Sequence, residues 1–228
     1  MDVSIYCLTF NNPERKKKMM DRFEQVGVPA NFVDPMDNND LIRKEIEGHT
    51  HLQNNFRVLS CIINHLTMMK MFLEGETNHG IFCEDDIYLR KSFKDDLPDI
   101  IRNFDRLSLD ILLLGYLLPL SPRMENCHYK LKEQYTYHQF PDDTWGTQMY
   151  MLSRKQAEYF VNKYTLEFAK SHPEVVFAAD WTLTKDGNRA LIYPMVAVEE
   201  GGVSTSHQGQ IDFHRTCAAV QYQPEKYV

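Results

Sequence analysis

Short apolar runs alternate with longer segments of helical periodicity through the first half of this chain. Apolar runs that end in polar residues are typical of buried strands. The clearest helical pattern is that of Val58–Leu73, where apolar residues recur on one face. We predict strands at Val3–Thr9, Ala30–Val33, Gly80–Cys83 and Ile111–Leu114, and helices at Pro13–Gln25, Val58–Leu73 and Phe93–Phe104. This alternation predicts an α/β fold with a mostly parallel sheet flanked by helices.

The second half of the chain has a different pattern. Tyr129–Phe140 alternates in a way that suits a small antiparallel hairpin. Thr147–Leu152 predicts a strand, and Ser153 can cap a helix at Arg154–Tyr164. We further predict a loop with a short helix at Asp34–Asn55, a late strand at Leu191–Val198 and an irregular tail from Glu199 onward. No repeat or linker interrupts the chain, so we expect residues 1–228 to form a single domain.

Polar residues follow two of the predicted strands. Thr9-Phe10-Asn11 follows the first, and Glu84-Asp85-Asp86 follows the apolar run that begins at Gly80. In open α/β sheets the carboxyl ends of parallel strands meet at the edge where ligands bind. Three consecutive carboxylates repel one another unless a cation neutralises them, and Mg²⁺ and Mn²⁺ prefer carboxylate oxygens. The acidic triplet therefore predicts a divalent metal site, with a solvated acidic turn as the alternative.

The composition excludes several classes of protein. The net charge of −7 argues against a nucleic-acid partner or an anionic membrane surface, because both require basic patches. The longest apolar stretch, Ile111–Leu120, contains Gly115 and Pro119, so no membrane span is expected. The five cysteines are widely spaced, and the N-terminus lacks the pattern of a signal peptide. These features indicate a protein of the reducing cytoplasm.

Five segments match, in order and spacing, the motifs of one enzyme family. They are Ile5–Thr9 with Arg15, Ser60–His65, Ile81–Ile87, Gly146–Ser153 with Ala157, and Ala179–Trp181. In these segments the chain resembles glycosyltransferases of the GT-A fold and of the family-25 type, which act in lipopolysaccharide and collagen glycosylation. It is also similar to small glycosyltransferase domains of large algal DNA viruses. The resemblance implies a Rossmann-like sheet, a UDP-sugar donor, a glycan acceptor and inversion at the transferred sugar.

The resemblance also implies a metal-assisted departure of the nucleoside diphosphate. It makes Asp86 a ligand of Mn²⁺ or Mg²⁺, with Glu84 or Asp85 holding the ribose or a metal-bound water. Glu84 is a second candidate ligand, and otherwise a surface carboxylate. Because many enzymes of this fold bring a late histidine to the metal, His207 in the segment Ser204–Gly209 is the third candidate.

Transfer with inversion requires a base that deprotonates the acceptor hydroxyl. Asp180 is the first candidate because apolar side chains flank it, and desolvation strengthens a carboxylate as a base. It could equally cap the helix that starts at Trp181. Asp143 and Asp142 precede Trp145, and they are runner-up bases or ligands for the hydroxyls of the donor sugar.

Further residues are candidates for contacts with the donor. Thr9, Phe10, Asn11 and Asp34 lie at strand ends, where they could hold the base and ribose. Arg15 and Arg57 could bind the diphosphate, although Arg57 could also be a solvated surface residue. Two alternatives to a glycosyltransferase remain, namely a non-catalytic nucleotide-sugar-binding module and a nucleotidyltransferase of similar fold.

Overall fold

The computed structural model describes residues 2–35, 39–118, 127–130, 135–140, 142, 144–202 and 208–228, and for 127–130 it describes only the backbone. The strands in this part of the chain are β1 Val3–Leu8, β2 Asn31–Val33, β3 His79–Glu84, β4 Ile87–Leu89, β5 Ile111–Leu117, β6 Cys127–Lys130, β7 Thr136–His138, β8 Trp145–Ser153, β9 Arg189–Tyr193 and β10 Ala197–Glu199. The helices are α1 Pro13–Val26, α2 Asn39–Glu45, α3 Thr50–Asn54, α4 Phe56–Glu74, α5 Phe93–Arg106, α6 Arg154–Lys163, α7 Leu166–Ser171, α8 Ala179–Thr182 and α9 Gln208–Gln221.

Eight strands form the central sheet in the order β2-β1-β3-β8-β5-β9-β7-β6. The strand pairings orient six of them in one direction, with β7 and β8 reversed. β4 and β10 form a separate antiparallel pair. The predicted α/β class with a mostly parallel sheet is therefore confirmed, and the predicted hairpin region is the antiparallel pair β6 and β7.

Side chains of the strands alternate between two cores, one on each face of the sheet. Tyr6 and Leu8 of β1 pack with α4 and α6, whereas Ile5 and Cys7 pack with α1 and α5. β5 divides in the same way between the two faces. This period-2 alternation with apolar residues on both faces explains why the strands appear in the sequence as continuous apolar runs.

The first helix has the ends that its sequence predicts. The side chain of Asn12 accepts hydrogen bonds from the backbone amides of Glu14 and Arg15, and Pro13 occupies the first turn. Gly27 ends the helix with a φ of 68°, a left-handed conformation that glycine adopts without steric cost. These caps place Arg15 on the first turn of α1, just beyond the carboxyl end of β1.

The long helix α4 is the one helix among the described residues with the length and mean hydropathy of a membrane span, and 44% of its most apolar window is buried. Leu59, Ile62, Met69 and Phe72 pack into the core between this helix and the sheet. In this structure α4 therefore serves as a core helix.

Two predictions for the end of the chain were wrong. Leu191–Val198 is not one strand, because Pro194 lies between β9 of the large sheet and β10 of the small one. Proline has no amide hydrogen to donate to a ladder, which favours a break there. The tail after Glu199 is not wholly irregular, because its residues from Gln208 onward form α9, which packs against β10.

Close packing between the two sheets makes Gly115 sensitive to substitution. A Cβ atom at this position of β5 would lie 2.7 Å from the backbone oxygen of Ala197 in β10. We expect Gly115→Ala to lower the free energy of unfolding by about 1–3 kcal/mol through overpacking, as measured by urea denaturation. Gly202→Ala is the matched control, because a Cβ there meets no atom within 4 Å. Equal stability of the two variants would contradict this packing.

Candidate active site

Residues from the ends of β1 and β2 form a polar cluster at one edge of the sheet. The amide of Thr9 donates to Val33 O at 2.8 Å, and its hydroxyl donates to Asp34 Oδ1 at 2.5 Å. Lys16 Nζ lies 2.9 Å from the other oxygen of Asp34. The hydrogen bond from Thr9, followed by that from Lys16, lowers the pKa of Asp34. Asp34 is therefore held as a carboxylate beside β1, as the predicted ligand edge requires.

Arg15 joins this cluster to the acidic triplet. Its Nη2 contacts Asp85 Oδ1 and lies 2.9 Å from Asp86 Oδ2. The backbone amide of Phe10 donates to Asp85 Oδ2 at 3.0 Å. The side chain of Asp85 is fully buried, and burial raises its pKa although Arg15 and the Phe10 amide oppose this shift. Asp85 thus points into the protein and ties β1, α1 and β3 together.

Glu84 and Asp86 lie on the other side of the triplet, where they line a cavity of about 360 Å³. Asp85 and Asp86 lie in the bend between β3 and β4, and Asp85 does not line this cavity. The cavity is lined by Arg57, Val58, Cys61, Glu84, Asp86, Leu117, Trp145, Thr147, Gln148, Ala178, Ala179, Asp180, Glu199, Gln210 and His214. We call it the acidic cavity, because four carboxylates line it.

Asp86 is the carboxylate that most needs a cation. Its Oδ1 is buried and accepts no hydrogen bond from the described residues. Burial raises its pKa well above the usual range, and the nearby charge of Glu84 adds to the shift; Arg15 opposes it and Glu199 reinforces it. A divalent cation between these carboxylates would relieve the repulsion and use the free lone pairs of Oδ1. The residues present therefore fit a hard cation with oxygen ligands.

A buried histidine fixes the orientation of Glu84. His65 Nε2 lies 3.2 Å from Glu84 Oε1, and His65 Nδ1 lies 3.0 Å from the hydroxyl of Tyr150. Cys61, His65 and Glu84 offer ligand atoms within 4.8 Å of one another and so form a possible metal-binding group. Burial raises the pKa of the Cys61 thiol well above its usual range, which disfavours the thiolate that would bind a metal.

Asp180 lies on the short helix α8 and lines the acidic cavity. Its Oδ1 accepts hydrogen bonds from the amides of Gly146 and Thr147 and from the Thr147 hydroxyl, at 2.8–2.9 Å. Among the described residues no donor reaches its Oδ2. It does not cap α8, since the capping position is Ala178. Hydrogen bonds from β8 thus hold the side chain through Oδ1, and Oδ2 remains available to a ligand.

Glu199 and His214 belong to the site, although the sequence interpretation omitted both. His214 Nδ1 lies 2.7 Å from Glu199 Oε2, and both side chains are almost fully buried at the cavity wall. Glu199 comes next to the triplet because β10 pairs with β4, and Glu200 N donates to Asp86 O at 2.8 Å. The spacing of Ile211, His214 and Cys217 was the available signal for helix α9.

The structure gathers the predicted residues into two adjoining groups. Thr9, Phe10, Arg15, Asp34 and Asp85 form the polar cluster, and the acidic cavity contains Arg57, Glu84, Asp86 and Asp180. Asn11 follows Phe10 with a φ of 53°.

Three predicted residues do not join these groups. Asp142 is exposed, and its ion pair with Arg189 lowers its pKa, so it does not line the cavity. Asp143 and His207 lie outside the described residues.

The class of protein follows from a comparison with known families. The sequence model of glycosyltransferase family 25 (LPS biosynthesis protein) matches residues 4–172, which is more than half of the chain. The chain belongs to this family and is a glycosyltransferase. The resemblance of its motifs to family-25 enzymes is therefore confirmed.

Other comparisons add little to this assignment. No curated protein matches the sequence. One similar solved structure is described as "Crystal Structure of A197 from STIV"; it is 10% identical, with a TM-score of 0.46 over 91% of this chain and 100% of that chain. At this degree of similarity it carries no argument about function.

The raised pKa of Asp86 predicts a pH-dependent cost to stability. In the unfolded chain the pKa of an aspartate is about 3.9, whereas folded Asp86 keeps its proton to higher pH. Folded protein therefore binds more protons within this window, and stability falls as the pH rises through it. We expect Asp86→Asn to raise the Tm at pH 7 without divalent metal, with a difference that shrinks toward pH 3, as followed by thermal unfolding.

Asp34→Asn is the control, and its expected change in Tm has the opposite sign. The pKa of Asp34 is lowered, so its contribution to stability is present above about pH 3.9 and is lost as the pH falls. This variant should have a lower Tm than the wild type at pH 7. A lower Tm for Asp86→Asn as well would show that the Arg15 ion pair outweighs desolvation.

Proposed function

We propose that the chain is a metal-dependent glycosyltransferase that moves a sugar, with inversion, from a UDP-sugar to a hydroxyl of a glycan acceptor. We also propose that residues 1–228 form one glycosyltransferase domain. The observation that carries the metal requirement is the buried Asp86 Oδ1, which has no hydrogen-bond partner among the described residues. Asp86 shares the acidic cavity with Glu84 and Glu199, and the charges of both raise its pKa.

Asp86 and Glu84 would hold Mn²⁺ or Mg²⁺, and Glu199 supplies a third carboxylate. Oxygen ligands of this kind suit both cations. His207 remains a candidate ligand from the segment before α9. When bound, the cation stabilises the negative charge that develops on the diphosphate leaving group. His65 keeps Glu84 turned toward the cavity, and Arg15 holds Asp86 from the opposite side.

The polar cluster is suited to the nucleotide. Thr9, Asn11 and Asp34 offer hydroxyl, amide and carboxylate groups for the ribose and base, and the half-exposed ring of Phe10 offers a stacking surface. Asp85 supports this cluster from beneath through the Phe10 amide. Arg57 lines the cavity in the first turn of α4, where a guanidinium and the helix terminus together favour a diphosphate.

Asp180 is the proposed base. Gly146 and Thr147 fix its Oδ1, so that Oδ2 can accept the proton of the attacking hydroxyl. Asp143 remains the runner-up for this role, and Asp142 for a contact with the donor sugar. The free thiols of Cys7, Cys61, Cys83 and Cys217 support a reducing compartment, which we propose to be the cytoplasm. The acidic net charge supports a partner other than nucleic acid.

Calorimetric titration with UDP-sugars tests the metal requirement. We expect binding of UDP-glucose or UDP-galactose in the presence of Mn²⁺, and binding weaker by at least about tenfold after the metal is removed by chelation. Asp86→Ala should weaken the Mn²⁺-dependent binding by a similar factor, because it removes the proposed ligand with the free oxygen.

Asp95→Ala is the matched control, because Asp95 is an exposed aspartate on α5 outside the cavity. It should leave nucleotide-sugar binding unchanged. If every nucleotide-sugar tested binds equally well with and without metal, and Asp86→Ala changes nothing, the metal-dependent function is wrong.

A second experiment tests the base. Asp180→Asn keeps an oxygen for the hydrogen bonds from Gly146 and Thr147 but removes the basic carboxylate. We expect kcat for sugar transfer to fall by about 10²–10⁴-fold while UDP-sugar affinity stays within about twofold. Asp212→Asn on the exposed side of α9 is the control for kcat. Transfer at the wild-type rate by Asp180→Asn would move the role of base to another residue.

A further inference from the structure

A second cavity of about 520 Å³ adjoins the acidic cavity. It is lined by His51, Leu52, Asn55, Val58, Leu59, Trp145, Pro173, Glu174, Val175, Val176, Phe177, Ala178, Asp180, Trp181 and Gln210. We call it the tryptophan groove. Both cavities are lined by Val58, Trp145, Ala178, Asp180 and Gln210, so they meet at the proposed base. A molecule in the groove can therefore reach Asp180 without occupying the part of the acidic cavity lined by Glu84, Asp86 and Glu199.

The two cavities differ in their chemistry. Glu84, Asp86 and Glu199 line only the acidic cavity, whereas the groove is walled mainly by aliphatic and aromatic side chains. Trp145 and Trp181 lie edge to face, with ring centroids 6.2 Å apart. Indole rings of this kind pack well against the C–H faces of sugars.

Three exposed valines belong to the apolar lining of the groove. Val176 is 63% exposed, Val58 is 41% exposed and Val175 is 36% exposed. Single exposed apolar residues are common, but three around one groove form a patch that typically marks a binding site. Polar groups at the groove are few, and they include Asn55, Glu174 and Gln210.

We propose that the tryptophan groove binds the acceptor, and that this acceptor is a glycoside with an apolar aglycone such as an alkyl chain. The inference rests on the proposed transferase function. The sugar packs on Trp145 and Trp181 with its reactive hydroxyl at Asp180 Oδ2, and the aglycone lies along Val175 and Val176. Continuity with the acidic cavity favours this occupant, because the acceptor must approach the base from outside the donor site.

The family match ends at residue 172, and Pro173–Phe177 of the wall lie beyond it and outside the family-like segment Ala179–Trp181. The family assignment therefore does not specify what this wall contacts. The preference for an apolar aglycone follows from the side chains of this chain alone.

Intrinsic fluorescence tests the proposal, because both tryptophans of the chain line the groove. Trp181 lines the groove but not the acidic cavity. In a Trp145→Phe variant the tryptophan fluorescence therefore comes from Trp181 alone and reports on the groove. The probes are n-octyl and methyl β-D-glucopyranoside, together with the corresponding galactosides, below the critical micelle concentration. We expect the octyl glycosides to bind at least about tenfold more tightly than the methyl glycosides, since burial of apolar surface drives the difference.

The double variant Val175→Ser/Val176→Ser should reduce this octyl preference by at least about fivefold. Both valines are partly or largely exposed, so the protein should remain folded, and circular dichroism verifies this. Val220→Ser is the matched control, because Val220 is 56% exposed and lies on α9 away from the groove. Equal affinities for octyl and methyl glycosides, or an unchanged preference in the double variant, would overturn the proposal.

Titration with a UDP-sugar and Mn²⁺ distinguishes failure of the groove proposal from failure of the transferase function. If the wild type binds the nucleotide-sugar but shows no octyl preference, only the groove proposal fails. If no nucleotide-sugar binds, the transferase function fails whatever the glycosides do. Support for both requires that the KM for octyl glycosides as acceptors rises in the double variant while the affinity for UDP-sugar stays the same.

Discussion

The ion pairs of Arg15 with Asp85 and Asp86 are the interaction on which the site edge of this sheet depends. Two like charges about 4 Å apart repel by about 4 kcal/mol at an effective dielectric constant of 20, and here Glu84 and Glu199 add to that repulsion. A single guanidinium nitrogen of Arg15, Nη2, contacts both carboxylates. The compensation is incomplete, because the pKa values of both aspartates stay raised. The carboxylates at this edge of the sheet are therefore only partly compensated by protein groups.

The bend between β3 and β4 places the carboxylates of the triplet in two different surroundings. Asp85 points inward, where it joins Phe10 to Arg15 and fixes the loop after β1. Glu84 and Asp86 point into the acidic cavity. One backbone segment therefore both builds the edge of the sheet and presents carboxylates to a ligand. Glu84 is the last residue of β3 and pairs with Leu8 of β1, so this pairing fixes where the acidic triplet begins at the edge of the sheet.

Much of this arrangement could be predicted from local sequence. Apolar runs located the central strands, and Asn12, Pro13 and Gly27 marked the ends of α1. The placement of Thr9 and Glu84 at one edge followed from the general geometry of parallel sheets.

The α9 helix was missed because Gly201 and Gly202 and a serine-rich segment precede it, and because its most buried residues are His214 and Cys217 rather than a run of aliphatic residues. Glu199 was missed because only the non-local pairing of β10 with β4 brings it to Asp86.

Asp180 lines both cavities. Its Oδ1 is held by β8, a strand that runs antiparallel between β3 and β5, so the side chain is anchored to the same sheet as the acidic triplet. Under the proposed function, anchoring both carboxylate groups to one sheet limits their relative motion, which favours alignment of the proposed base with the donor. The wall of the groove is built differently, from Pro173–Phe177, outside the regular elements. Loops tolerate sequence change better than strands do, so under the proposed acceptor role of the groove its preference can vary while the arrangement of carboxylates at the sheet is preserved.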